Sequence, residues 1–134
     1  MEIRQIKESD FSMLNQWWLD HKLKIPELEL LPDNGTGGFI VSIDGEDIAA
    51  GYLYFTNSSI AYGDFLISNA NYKKNRYKAK AIAYLIDYAF SLAFKKGCTF
   101  TWVNSKVNGV INQCKQLGYD LGKGYTLIYK YKHK

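Results

Sequence analysis

The chain has little that would staple, ligate or break it. Among its 134 residues only two are cysteine, two proline, two methionine and two histidine. Cys98 and Cys114 stand alone, without Cys-x-x-Cys spacing, so neither a disulfide framework nor a zinc ligand set is expected. Both thiols read as reduced, packed side chains. With His21 and His133 as the only imidazoles, no metal site is expected either. No apolar run approaches the roughly 18 residues that a membrane-spanning helix needs. The opening, Met1 to Asp10, is charged rather than signal-like, so a cytoplasmic protein without membrane contact is the default reading. Neither sign of charge dominates: 17 Lys and Arg stand against 13 Asp and Glu, a net +4. That balance suits a phosphate-bearing ligand or an acidic partner, and does not single out nucleic acid.

What the chain has in plenty is apolar bulk. It is 47% hydrophobic and 16% aromatic, with 11 Tyr and 7 Phe. This is too apolar for a disordered protein, and the length is too small for two ordinary domains. One domain over residues 1–134, with an aromatic-rich core or cleft, is the expectation. Charge is dense in one place only, where Lys73, Lys74, Arg76, Lys78 and Lys80 fall within eight residues.

The periodicities give an order of elements. Residues 2–6 alternate as a short strand, and Ser9 or Asp10 can cap a helix with Phe11, Leu14 and Trp18 on its apolar stripe. Pro26, Pro32 and the glycines from Gly35 to Gly38 punctuate a connector that a short helix or turn can interrupt at 25–31; those glycines would serve a lid or a plain flexible link. Phe39–Ile43 and Asp47–Phe55 read as a hairpin turning at Asp44-Gly45, and Ile60–Ser68 as a third meander strand. From Ala79 to Ala93 the apolar residues form one broad helical stripe, closed by Lys96-Gly97. Thr99–Val103 reads as a strand, Val107–Leu117 as a helix ending at Gly118, and Gly124–Tyr131 as a last strand. The sum is a mixed α/β (α+β) fold, a mostly antiparallel sheet of roughly six or seven strands flanked by three or four helices.

This order resembles the GNAT (GCN5-related N-acetyltransferase) superfamily over nearly the whole chain. The opening Ile3-Arg4-Gln5-Ile6 leading to a Trp-containing helix looks like the usual start of that fold. Arg76-Tyr77-Lys78-Ala79-Lys80-Ala81 is similar to the family's Arg/Gln-x-x-Gly-x-Gly/Ala loop, with Ala79 in place of the first glycine. Gln116-Leu117-Gly118-Tyr119 resembles its Lys-Leu-Gly-Phe/Tyr turn, and Leu53 to Ser58 resembles a hairpin of small phage-type members. The stretch from Ile67 to Arg76 is longer than is usual in the family.

The resemblance implies acetyl-CoA as donor and an amine of a small molecule or protein as acceptor. It places the donor pyrophosphate at the start of the long helix, where N–H groups and the helix dipole favour anions. Lys74, Arg76, Lys78, Ala79, Lys80 and Ala81 would line that seat, Leu66 and Ile67 would bind the pantetheine arm between two splayed strands, and Asn108 would touch the cofactor. Asn104 and Asn108 read equally as helix caps. Asp64 would relay the proton from the amine. The family's usual acid, a tyrosine four residues before the turn's glycine, is here Cys114, so Cys114, Tyr119, Tyr125 or Tyr129 would have to donate to the leaving thiolate. Trp17, taken as more exposed than Trp18, with His21 and Tyr62 would shape the acceptor side. Two other readings stay open: a catalytically degenerate GNAT-fold protein binding a host factor, and a modifier of nucleic-acid bases, for which the interleaved Tyr129–Lys134 tail is less telling than its reading as a lysine-protected edge strand. A homodimer is compatible with all three.

Overall fold

The computed structural model describes residues 1–132. Five strands and three α-helices follow in the order β1 (Glu2–Gln5), α1 (Phe11–Asp20), β2 (Gly38–Ile43), β3 (Glu46–Phe55), β4 (Ile60–Ser68), α2 (Asn75–Lys95), β5 (Phe100–Trp102) and α3 (Asn108–Gln116). Short 3-10 turns at Leu28–Leu30 and Pro32–Gly35 occupy the connector after α1. The sheet runs β1-β2-β3-β4-β5, antiparallel up to β4, with β5 joined parallel to β4 across α2. Such a parallel neighbour needs a crossover helix, which α2 supplies.

The sheet is covered on both faces. Leu14, Trp17 and Trp18 of α1 pack on Ile40, Ala50, Tyr52 and Ile67. On the other face Ile86, Phe90 and Ala93 of α2, with Val110 and Cys114 of α3, pack on Leu53 and Ala61. Between these, Ala81 and Leu85 close over Val41, Ile48 and Ala49. This layering explains why β3 reads as an unbroken apolar run from Ile48 to Leu53 rather than an alternation: it lies mid-sheet with both faces covered. The β2–β3 turn has Asp44 and Gly45 both at positive φ, 51° and 81°, the two-residue turn whose twist suits a hairpin.

At the other end of the chain, Gly124–Tyr131 forms no strand, so the sheet has five strands among the described residues rather than six or seven. Alternation fixes which residues share a face but not which edge will pair with them, and here no ladder partner lies alongside. His133 and Lys134, the end of the basic tail, lie outside the described residues. Among the described residues no helix is long and apolar enough to cross a membrane, and no group of three His, Cys, Asp or Glu could hold a metal ion.

Candidate active site: a bulged strand beside a parting pair

The site is built around an irregularity in β4. Strands β3 and β4 pair from Phe55↔Ala61 to Tyr52↔Asp64, then resume at Ala50↔Ile67. In between, Gly51 alone faces Phe65 and Leu66, a β-bulge. Phe65 takes φ 54°, left-handed for a bulky residue, at a cost of about 1–2 kcal/mol. Gly51 is glycine for a steric reason: a Cβ there would lie 2.5 Å from Leu66 Cδ2. A larger residue opposite the bulge would have to push the Leu66 side chain aside.

Just before the bulge, β5 leaves β4. Their pairing covers Ile60↔Phe100, Ala61↔Thr101 and Tyr62↔Trp102, and β4 continues through Gly63–Ser68 without β5 beside it. The parting opens a narrow, nearly all-apolar cleft whose walls include Gly63, Leu66, Phe90 and Val103. Backbone groups of β4 on that side have no strand to bond, so a ligand with amide groups could take the place of one.

The loop from Asn69 to Lys74 connects this strand to α2. Its shape comes from two residues, Asn69 and Tyr72, that carry no local motif. Asn69 donates from Nδ2 to the Asp47 carbonyl at 3.0 Å and accepts from the Asn71 N–H at 3.0 Å. Tyr72 is buried against β2, β3 and α2. Beyond it α2 begins at Asn75, with Lys74 as N-cap and no side chain capping the helix. The Asn75 N–H is taken by the Lys73 carbonyl at 3.0 Å, which leaves those of Arg76 and Tyr77 open to an anion. Lys73, Lys74, Arg76 and Lys80 are exposed and Lys78 half-buried, and none of the five forms an ion pair among the described residues. Burial, then the charge of Lys73, lowers the pKa of Lys78.

Expectation and structure part company over Ala79 and Ala81. Both lie inside α2, not in a loop, and Ala81 is wholly buried against the sheet. Helical φ at Ala79 removes any need for glycine there. Ala81 is a packing residue, and the exposed end of α2 is the turn Lys74–Lys78.

On the opposite, α1-facing side of the sheet three rings stack across the strands. Tyr54 and Tyr62 lie 4.8 Å apart at 1°, and Tyr62 and Trp102 lie 4.6 Å apart at 6°. Asp64 sits one step along from Tyr62 on the same face, exposed, its carboxylate accepting from the Phe65 N–H at 2.7 Å. Tyr54 donates to the Leu30 carbonyl at 2.8 Å, which ties the connector to this face. Its pKa is raised, first by burial and then by the Asp64 charge. His21 joins by Nε2 to the Ser68 carbonyl at 2.9 Å, pinning the end of α1 to the end of β4.

No family model matches the sequence, and no curated protein matches it. In three dimensions it is similar to a variant of a Thermus thermophilus protein, TTHA1254, with TM-score 0.72 and 14% identity over 100% of both chains. It is similar to the ribosomal-protein-S18-alanine N-acetyltransferase of Escherichia coli, with TM-score 0.66 and 13% identity over 91% of this chain and 79% of that one. It is also similar to Rv2747 of Mycobacterium tuberculosis, solved in complex with CoA, with TM-score 0.69 and 12% identity over 96% and 76%. The chain has the GNAT fold.

Set in the GNAT fold, the candidate residues fall into two groups. Leu66, Ile67, Lys74, Arg76 and Lys78 gather along the bulge and the helix start, and Tyr62 and Asp64 share the α1-facing side. Asn108 opens α3, exposed, with Val107 rather than either asparagine at the cap position. Trp17, Cys114 and Tyr119 pack into the fold. Trp17 is not the exposed member of its pair: it is 4% exposed and Trp18 8%, because Phe11, Leu14, Trp17 and Trp18 all fall on the sheet-facing side of α1.

Cys114 is buried between α3, α2 and the sheet, where burial raises its pKa. Tyr119 donates to Asp87 Oδ1 at 3.0 Å and stacks on Phe90. Its pKa is raised by burial and then by the Asp87 charge. Neither Cys114 nor Tyr119 lines the cleft beside β4. The connector glycines are also structural: a Cβ on Gly38 would strike the Gly51 carbonyl, and one on Gly37 would lie 2.5 Å from Pro32 Cβ. Close packing suits glycine at these two positions.

Proposed function

We propose that the protein is an acetyl-CoA-dependent N-acetyltransferase acting on an amine of a small molecule or a protein. The observation that carries this reading is the bulge at Phe65–Leu66 where β5 parts from β4, leading through one loop to an uncapped, lysine-flanked helix start. The opened β4 backbone would hold the pantetheine amides and the thioester carbonyl. The first turn of α2 would hold the pyrophosphate, helped by Lys74, Arg76 and Lys78. The amine would approach from the face bearing Tyr62 and Asp64, with Asp64 taking its proton directly or through water. Its lone pair would then attack the thioester carbon, forming the amide as the thiolate departs and is reprotonated. The α1-facing location of Asp64 supports the base role, and its exposure makes the relay a solvent-coupled one.

The test is calorimetric titration with acetyl-CoA, together with thiol release over a panel of amines. Saturable binding that weakens about tenfold or more in Arg76→Glu is expected, by reversal of one charge at the anion seat. Absence of binding at millimolar acetyl-CoA overturns the proposal.

A second reading has specific support. Of the four expected thiolate acids, Cys114 and Tyr119 are engaged with the core and with Asp87, and Tyr125 and Tyr129 are exposed. A GNAT-fold protein that binds CoA without turnover, and acts by binding a macromolecule such as a host factor, fits that arrangement. It predicts donor binding without thiol release from any amine.

A further inference from the structure

The bulge that opens β4 takes one backbone donor out of the ladder. Phe65 has no partner residue on β3, because the pairing passes from Tyr52↔Asp64 directly to Ala50↔Ile67. Its N–H is bonded instead to the side chain of the residue before it: Asp64 Oδ1 accepts it at 2.7 Å. A bond this short to a carboxylate is charge-assisted and stronger than one between neutral groups. Asp64 is exposed, so its carboxylate has water as an alternative partner, and it gives up side-chain freedom to hold its neighbour's backbone.

These two groups are the ones that the proposed reaction needs free. The Phe65 N–H belongs to the stretch of β4 that would hold the thioester carbonyl, and the Asp64 carboxylate is the acceptor for the amine proton. While they are bonded to each other, the N–H has no second hydrogen to offer. The carboxylate, for its part, is held to its own strand. A carbonyl arriving at Phe65 therefore makes no net new bond; it takes the place of the carboxylate.

Resting on that reading of the donor, we infer that Asp64 is a latch on the Phe65 N–H, and that the acyl carbonyl of the donor displaces it. Acylated cofactor thus releases the carboxylate to the amine, whereas unacylated CoA, which has a thiol where the carbonyl would be, leaves the latch closed. Once the acetyl group has moved to the amine, the N–H is free for Asp64 to take again. The acyl state of the cofactor is in this way reported to the α1-facing side of the sheet through a single hydrogen bond.

The test compares acetyl-CoA with S-ethyl-CoA, a thioether of the same length that lacks the carbonyl. Both are titrated calorimetrically into the unmodified chain, Asp64→Asn and Asp64→Ala. Asparagine keeps an oxygen for the N–H without the charge, and alanine leaves the N–H unclaimed. Removing a negative charge near an anionic ligand tightens both ligands alike, so it cancels in the ratio of their dissociation constants. That ratio is expected to move in favour of acetyl-CoA by at least about fivefold from the unmodified chain to Asp64→Ala, with Asp64→Asn between them. Binding of both ligands with an unchanged ratio overturns the latch alone. Failure of both to bind the unmodified chain overturns the donor reading and the latch with it.

A spectroscopic readout on the unmodified chain does not depend on how well either variant folds. The chain is labelled with 15N and with 13C at the aspartate side-chain carboxyls, and the Asp64 signal is identified by its loss in Asp64→Asn. Acetyl-CoA is expected to shift both the Asp64 carboxyl signal and the Phe65 amide signal. S-ethyl-CoA is expected to shift neither beyond the change that CoA itself produces. Equal shifts with all three ligands would report only that the cofactor lies nearby, and would overturn the latch. An Asp64 carboxyl signal that acetyl-CoA leaves in place overturns it as well.

Discussion

Ala79 and Gly109 meet where α2 crosses the first turn of α3: a Cβ on Gly109 would lie 3.1 Å from the Cβ of Ala79. The methyl that replaces a glycine in the family pattern is thus accommodated by a glycine on the neighbouring helix. Gly109→Ala gains helix propensity, up to about 1 kcal/mol, but overpacks the crossing, which costs about 1–3 kcal/mol. A net loss of stability is expected. Ala79→Gly alone is also expected to destabilise, by about 1 kcal/mol, through helix propensity. In the double variant the methyl has only changed sides. Urea unfolding of all four proteins should therefore give a favourable coupling of at least about 0.5 kcal/mol. Additive losses would mean that the helices do not bear on each other at this point.

The start of the chain is held by a charge-paired cap. Arg4 binds both oxygens of Asp10, at 2.8 and 2.9 Å, and reaches Asp47 at 3.3 Å, while the Lys7 N–H donates to Asp10 at 2.8 Å. The hydrogen bond from Arg4 is the main cause of a lowered pKa at Asp10, partly opposed by burial. With the folded pKa below the unfolded one, the stabilisation is complete above the unfolded value and is lost as pH falls through the folded one. Because Arg4 is 39% exposed, the pair should contribute only about 1 kcal/mol at neutral pH. Asp10→Asn is expected to lose that amount at pH 7 and to show a flatter decline of stability towards pH 3. Unfolding free energies measured at both pH values test this.

Tyr119 is the residue on which the proposed chemistry and the packing make opposite predictions. As a general acid, its loss would lower kcat by about 10²–10⁴-fold and remove the alkaline limb of the pH profile. Bonded to Asp87 and stacked on Phe90, it should instead act on stability. Tyr119→Phe is expected to destabilise the fold by about 1 kcal/mol through the lost hydrogen bond. Turnover, if present, should change by less than about tenfold. A pH–rate profile of the variant, set beside its urea midpoint, separates the two roles.

What the sequence made legible follows from how local each signal is. The Asp44-Gly45 turn, the Ile60–Ser68 strand and the α2 stripe each rest on neighbours in the chain, and all three are present. Trp17 is buried against expectation because the stripe through Phe11, Leu14 and Trp18 is wide enough at this helix to take the adjacent position too. Gly51 and Gly109 carried no signal, since a glycine required by a side chain distant in sequence looks like any other. Asn69, Tyr72 and Asp87 were invisible for the same reason: each matters through a partner more than twenty residues away or through the core. Gly124–Tyr131 shows the converse, a strand pattern that pairs with no strand among the described residues.

The bulge itself can be tested through the backbone of Phe65. Its φ of 54° sits in the region that asparagine tolerates and β-branched residues resist most. Phe65→Asn and Phe65→Val both lose the edge-on contact with Trp18, now 6.2 Å between ring centres. Valine keeps apolar character at this half-buried position, so on burial alone it should be the milder change. If the bulge depends on the left-handed backbone, the order reverses: Asn should be more stable than Val by about 1 kcal/mol. The same order should appear in acetyl-CoA affinity, because a strand that relaxes to regular pairing closes the β4 groups offered to the ligand. Thermal unfolding and titration of the two variants read both effects. Valine equal to or better than asparagine in both would show that the left-handed turn at Phe65 is incidental to the site.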